Sequence, residues 1–147
     1  MDYPFISCKC ITYGRVSTLE ESIESFLKQD YPADKRELII VNDYPLQTLI
    51  FEHPQVKVVN LVKTFETIGE KENYATELCQ GDIICQWDDD DVALPNHLKN
   101  VAKHFTDDAN ILHWKTGVFY NEPKITYISK EGSSFCKASI AFNRLGE

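Results

Sequence analysis

Four consecutive aspartates, Asp88-Asp89-Asp90-Asp91, follow the apolar segment Asp82 to Trp87 and precede Pro95. Adjacent carboxylates repel one another, and at the end of a buried strand they are partly stripped of water. Their charged forms are costly there unless a cation is near. Hard oxygen ligands of this kind suit Mg2+ or Mn2+, which keep waters and recruit substrate phosphates to complete an octahedral shell. The bland alternative is a solvated turn that caps the following helix. Asp43 is a second carboxylate, placed directly after Leu38-Ile39-Ile40-Val41-Asn42. It either accepts hydrogen bonds from a base or ribose or simply forms the turn before Tyr44-Pro45.

Other reactive side chains carry less. The cysteines Cys8, Cys10, Cys79, Cys85 and Cys136 are odd in number and several lie in apolar runs, the pattern of reduced core thiols rather than a zinc site. Such thiols suit a reducing cytoplasm. His97 and His104 share a helix face without a ligand-spaced carboxylate, so packing or surface roles are favoured. Trp87 and Trp114 read as core or pocket wall. No P-loop, G-x-G-x-x-G or G-x-S-x-G motif is present, which removes the usual kinase, dehydrogenase and hydrolase readings.

The net charge is -8 with no basic cluster. Nucleic acid and anionic membrane surfaces are therefore excluded as natural partners, whereas an anionic small molecule needs a bound cation to invert the local charge. Hydrophobic residues at 43% and charged residues at 26% describe a folded chain, and 147 residues suit a single domain. The start Met1-Asp2-Tyr3-Pro4 is not a signal peptide, and no apolar window is long enough for a transmembrane segment, so a cytoplasmic location is expected.

The elements that position these residues alternate. Strands are predicted over Phe5 to Tyr13, Glu37 to Asn42, Val56 to Leu61 and Asp82 to Trp87. Helices are predicted after a Thr18/Glu21 capping box, over about Gly69 to Gln80 with Gly81 as C-cap, and from Pro95 through Phe105. In the first helix Leu19, Ile23, Phe26 and Leu27 make one buried face. Beyond the third helix, Ile111 to Tyr120, Lys124 to Ile128 and about Ser134 to Phe142 read as strands. The expected architecture is α/β, a mostly parallel Rossmann-like sheet with a smaller β-rich C-terminal part and an antiparallel portion. In such sheets ligands bind beyond the carboxyl ends of the strands, where Asp43 and the aspartate run fall.

Five segments, in order, resemble glycosyltransferase family 2. Ile6-Ser7-Cys8-Lys9-Cys10-Ile11-Thr12-Tyr13-Gly14-Arg15 is similar to its opening strand and loop, and Ser22 to Pro32, ending Gln29-Asp30-Tyr31-Pro32, to its first helix. Glu37 to Asp43 resembles its strand ending in two acids. Ile68-Gly69-Glu70-Lys71-Glu72-Asn73 with Gly81-Asp82 resembles its Gly…Asn…Gly helix, and Trp87 to Asp91 with Pro95 stands where the family keeps an Asp-x-Asp motif. Ile140-Ala141-Phe142-Asn143-Arg144 resembles, more faintly, a strand shortly before the catalytic base.

The resemblance implies a GT-A nucleotide-diphospho-sugar transferase fold, with residues 1–105 binding the donor and 106–147 forming part of the acceptor side. It implies that Thr12, Tyr13, Arg15 and Asp43 hold base and ribose, that Lys71 and Asn73 lie near the nucleotide, and that Asp88 and Asp89 meet the donor. Asp88 and Asp90 would serve a divalent metal, Mn2+ or Mg2+. The implied activity is inverting transfer from a nucleotide-sugar, a UDP-sugar first, to an acceptor hydroxyl on a carbohydrate, lipid or protein. The other reading is a non-catalytic nucleotide-sugar-binding module or truncated transferase. A sugar-nucleotide pyrophosphorylase is disfavoured, because the early Gly-rich loop bearing Arg or Lys is missing. Departures are Asn42 in place of the first acid, Tyr44-Pro45 in place of Gly-Ser, and Glu72 in place of an arginine, a charge opposed to an anionic donor. No residue matches the catalytic base; Glu131 and Glu147 have no support, and the acceptor-side portion is incomplete. An exposed sheet edge is compatible with a homo-oligomer.

Overall fold

Alternation in Ile6-Ser7-Cys8-Lys9-Cys10 sends Ile6, Cys8 and Cys10 to one face of a strand and Ser7 and Lys9 to the other. In the computed structural model, which describes residues 2–105, 111–113, 116–121, 124–129 and 140–143, this segment is β1 (Ile6–Thr12). It pairs in parallel with β2 (Arg36–Asn42) on one side and β4 (Ile83–Gln86) on the other. β3 (Val56–Asn60) extends the parallel sheet beyond β2. β8 (Ile140–Asn143) pairs antiparallel with β4, and β5 (Ile111–His113) pairs antiparallel with β8, giving the order β3-β2-β1-β4-β8-β5. β6 (Thr116–Asn121) and β7 (Lys124–Ser129) pair as a separate antiparallel ribbon. The strand predicted over Ile111 to Tyr120 is therefore two strands in different sheets. Of the one predicted from about Ser134, residues 140–143 are described as strand, and 134–139 lie outside the described residues, as do Trp114, Glu131, Cys136, Arg144 and Glu147.

The chain leaves β1 towards β2 and β3, then returns to the opposite side of β1 as β4. This reversal opens a crevice at the carboxyl ends of β1 and β4, the ligand position of doubly wound sheets. Helices α1 (Val16–Leu27) and α3 (His97–His104) cover one face, packing Leu19, Ile23, Phe26, Leu98 and Val101 onto Ile6, Cys8, Cys10 and Cys85. Helix α2 (Ile68–Leu78) covers the other, with Ala75 against Ile39, Val41 and Ile84. Among the described residues no helix is long and apolar enough to cross a membrane.

Three local expectations are corrected. The Thr18/Glu21 capping box does not form: α1 starts at Val16 with Arg15 as its N-cap, just past the left-handed Gly14 (φ 69), and the Thr18 hydroxyl donates instead to the Arg15 carbonyl at 3.1 Å. The capping box belongs to α2. There the Thr67 hydroxyl accepts from the Glu70 amide at 3.1 Å, and the Glu70 carboxylate accepts from the Thr67 amide at 3.0 Å. Gly81 is not a helix cap, since α2 ends at Leu78 with Cys79 as an extended C-cap. A Cβ at position 81 would lie 2.5 Å from the Ser7 amide nitrogen and 2.7 Å from the Phe5 carbonyl; close passage of the chain over β1 is what requires glycine. Pro95, for its part, lies outside α3, which begins at His97 behind Asn96.

Two buried charges hold helices to the sheet. At the end of α1, the Arg36 guanidinium donates to the carbonyls of Phe26 (3.0 Å), Gln29 (2.7 Å) and Leu27 (3.1 Å). It adds a second donor to carbonyls at the C-terminal end, where Phe26 and Gln29 also accept from the amides of Gln29 and Tyr31, and it complements the helix dipole. Lys9, in mid-strand, meets Glu72 of α2 at 2.8 Å and donates to the Thr76 hydroxyl at 3.1 Å. The Glu72 charge is thus matched by Lys9 on the covered face of the sheet. Removing one member of a buried pair leaves the other without its counter-ion, typically a loss of about 3–5 kcal/mol. Lys9→Met is expected to lose about that much in urea unfolding, and Lys9→Met/Glu72→Met to recover most of it; additive losses would contradict the coupling.

Candidate functional site

The carboxyl ends of β1, β2 and β4 deliver Thr12, Asp43 and the aspartate turn to one edge. At the turn, the four carboxylates have four different environments. Asp89 is 1% exposed: its oxygens accept from the Thr12 hydroxyl at 2.7 Å and from Arg15, whose Nε and Nη2 stand at 3.1 and 2.6 Å. Asp90 is half-exposed and meets Arg15 Nη1 at 2.9 Å. Asp88 accepts from the Gln86 side-chain amide at 2.8 Å, and its carbonyl accepts from the Ser22 hydroxyl of α1 at 2.8 Å. Asp91 is pushed above the usual carboxylate range, chiefly by desolvation and then by the charges of Asp88, Asp90 and Asp89.

Beside this turn lies a second polar cluster. Asp43 is buried. One carboxylate oxygen takes the Lys71 ammonium in a short contact, and the other accepts from the Phe65 amide at 2.9 Å. Lys71, from the first turns of α2, also donates to the Thr12 carbonyl at 2.6 Å. Its ammonium lies 5.8 Å from the centre of the Tyr13 ring, a cation–π arrangement. Tyr13 in turn packs against Tyr44 with ring centres 4.6 Å apart. Gly14 makes this possible: its positive φ, which side-chain-bearing residues rarely adopt, turns the chain beside the Tyr44 ring.

Thr12, Tyr13, Arg15, Asp43, Lys71, Asp88, Asp89 and Asp90 thus come together. Asn73 does not join the Lys71 cluster: it is exposed on α2, about 200° around the helix from Lys71. Asn42 replaces an expected acid and is fully buried. Its amide donates to the Gln47 carbonyl (2.7 Å) and Asn60 (3.0 Å), and its oxygen accepts from the Tyr44 amide (3.1 Å), so it shapes the loop that carries Tyr44. Trp87 is core, edge-on to Phe26 at 5.7 Å. His97 packs against Trp87 and Cys85, and His104 is exposed. Sequence reasoning missed the Tyr13–Tyr44 pair and the two lysine–acid bridges. A lysine amid Ile6-Ser7-Cys8 and Cys10-Ile11 was the available signal, because a buried strand lysine demands an acid from the element covering it.

The donor set at the turn is the half-exposed Asp90 beside Asp88. It fits a cation that takes one or two carboxylates and completes its shell with water and phosphate oxygens, as Mg2+ and Mn2+ do. Among the described residues no three His, Cys, Asp or Glu side chains are grouped to cage a metal on their own.

The family model described as "Glycosyl transferase family 2" matches residues 9–144. A protein of Bacillus subtilis strain 168, described as the uncharacterized glycosyltransferase YwdF, is 34% identical over 113 residues, spanning 74% of this chain and 40% of the relative. Among solved structures, mannosyltransferase PcManGT from Pyrobaculum calidifontis, in complex with GDP-Man and Mn2+, has a TM-score of 0.65 at 20% identity. The match covers 77% of this chain and 36% of that one. S. aureus TarS 1-349 in complex with UDP-GlcNAc has a TM-score of 0.57 at 23% identity, covering 67% and 30%. These likenesses establish the fold as GT-A. The chain spans well under half the length of each of these proteins.

The differing environments of Asp89 and Asp90 give opposite expectations for neighbouring substitutions. Asp89→Ala, which strands a buried hydroxyl and opens the Arg15 fork, is expected to cost about 2–3 kcal/mol. Asp90→Asn should stay within about 0.5 kcal/mol of the parent. Equilibrium unfolding of both variants measures the contrast; equal losses would contradict it.

Proposed function

The chain belongs to glycosyl transferase family 2, and from that premise we propose that it carries the nucleotide-diphospho-sugar site of a metal-dependent, inverting glycosyltransferase. The observation that carries the reading is the convergence of Thr12, Asp43, Lys71 and the Asp88–Asp91 turn at the switch-point edge of the sheet. The donor class is supported by the UDP-GlcNAc and GDP-Man bound to the structural relatives, and the metal by the Mn2+ of one of them. A UDP-sugar is the first donor to test.

In this reading the rings of Tyr13 and Tyr44 and the Asp43 carboxylate receive base and ribose. Lys71 bridges Asp43 to the Thr12 carbonyl, so this pocket is rigid before the donor arrives. Asp88 faces the ribose side and Asp90 the diphosphate side. A bound divalent cation supplies charge neutralisation to the diphosphate leaving group as the glycosidic bond breaks. The acceptor hydroxyl attacks the anomeric carbon opposite the leaving group, which inverts that centre. The acceptor is a hydroxyl of a carbohydrate, lipid or protein, and no described residue is assigned as its base.

Calorimetric titration with UDP, GDP and CDP, each with and without Mn2+, tests the reading. Binding of one nucleotide only with Mn2+ is expected, weakened at least about tenfold, or about 1.4 kcal/mol, in Asp90→Ala. Metal-independent binding, or an unaffected Asp90→Ala, would sink the metal assignment. Hydrolysis of a UDP-sugar then separates a turning-over enzyme from a binding module.

A further inference from the structure

Arg15 reaches two of the four carboxylates of the acidic turn. Its Nη2 and Nε grip the two oxygens of buried Asp89 at 2.6 and 3.1 Å, while Nη1 reaches Asp90 at 2.9 Å. The backbone beneath it is fixed, because the Arg15 carbonyl accepts from the Leu19 amide and the Thr18 hydroxyl, both at 3.1 Å, at the start of α1. The two arms differ in surroundings. The arm on Asp89 ends on a carboxylate that is 1% exposed, whereas Asp90 is 49% exposed and the Arg15 side chain 54%. The first contact is shielded from water, and the second is open to exchange.

We infer that Arg15 is a positioning residue with a permanent arm and an exchangeable one. The fork on Asp89 holds the aspartate turn against β1, and the Nη1 arm guards Asp90, so that a divalent cation and a diphosphate load as a pair. A cation alone must displace a guanidinium from Asp90 and gains little. A diphosphate arriving with it offers Nη1 a replacement anion, since a guanidinium fork suits phosphate as well as carboxylate. Cation and diphosphate therefore raise each other's affinity, a coupling that is reciprocal by linkage. This inference rests on the diphosphate-site reading above.

The test is Mn2+ binding, read from the electron paramagnetic resonance signal of free Mn2+, with and without UDP, on the full chain. For the parent protein, UDP is expected to tighten Mn2+ by at least about fivefold. Arg15→Gln removes the guard. Arg15→Lys supplies a single point charge that remains on buried Asp89, and so also frees Asp90. Both variants, shown folded by circular dichroism, are expected to bind Mn2+ alone more tightly than the parent and to lose most of the UDP effect. A merely structural role would move Mn2+ affinity the other way. Unchanged or weaker Mn2+ binding in the folded variants, or a parent that binds UDP yet binds Mn2+ equally with and without it, overturns the inference. Should no nucleotide bind the parent in any condition, the diphosphate reading fails, while the Mn2+-alone comparison of parent and variants still decides whether Arg15 guards Asp90.

Discussion

A carboxylate taken out of water at the centre of the sheet's upper edge organises this molecule. Asp89 is enclosed, and its cost is offset by the Thr12 hydroxyl and the Arg15 fork. Those partners come from the end of β1 and the start of α1, whereas Asp89 follows β4. One buried charge therefore pins together the two strands that flank the crevice and the helix that leaves it. The other three aspartates inherit their positions from that pin, which is why a run of like charges adopts one turn rather than splaying into solvent.

Helix α2 shows the same logic in a second place. Its apolar contribution is modest, with Ala75 at the centre of a small cluster. Two lysine–acid bridges run between this helix and the sheet: Lys9 to Glu72, and Lys71 to Asp43. The first matches the charge of Glu72, which in sequence looked opposed to an anionic ligand. The second lies in the candidate site, so the contact that docks the helix also belongs to that polar cluster. Polar docking of this kind is directional, and it fixes the rotation of α2 more narrowly than apolar packing would.

The parallel strands, the order of elements and the edge that carries the site were legible in the sequence, because unbroken runs such as Leu38-Ile39-Ile40-Val41 have one good use in an α/β sheet. Helix starts were less legible. Thr18 and Thr67 both head a capping-box pattern, and local sequence does not say which one the chain uses; the left-handed turn at Gly14 decides it by starting α1 early. The division of labour among the aspartates was hidden for a related reason. Four identical side chains carry no mark of which one faces inward, and only the positions of Thr12 and Arg15, far away in sequence, select Asp89 for burial. Asn42 stands where the family resemblance expects an acid, and its three partners lie in the loop and on β3.

The passage of Gly81 over β1 bears on how accurately the active edge is built. The amides of Gln80 and Gly81 are both held by the Ser7 hydroxyl, at 3.1 and 2.7 Å, and that of Gln80 also by Glu37 at 2.8 Å. With no room for a Cβ, the chain enters β4 at a single height along β1. A slip of one residue would exchange the two faces of the strand, sending Cys85 towards α2 and carrying the aspartates out of reach of Thr12. The alignment of the acidic turn is thus set at the opposite end of β4, by a contact that works as a vernier stop for everything downstream of it.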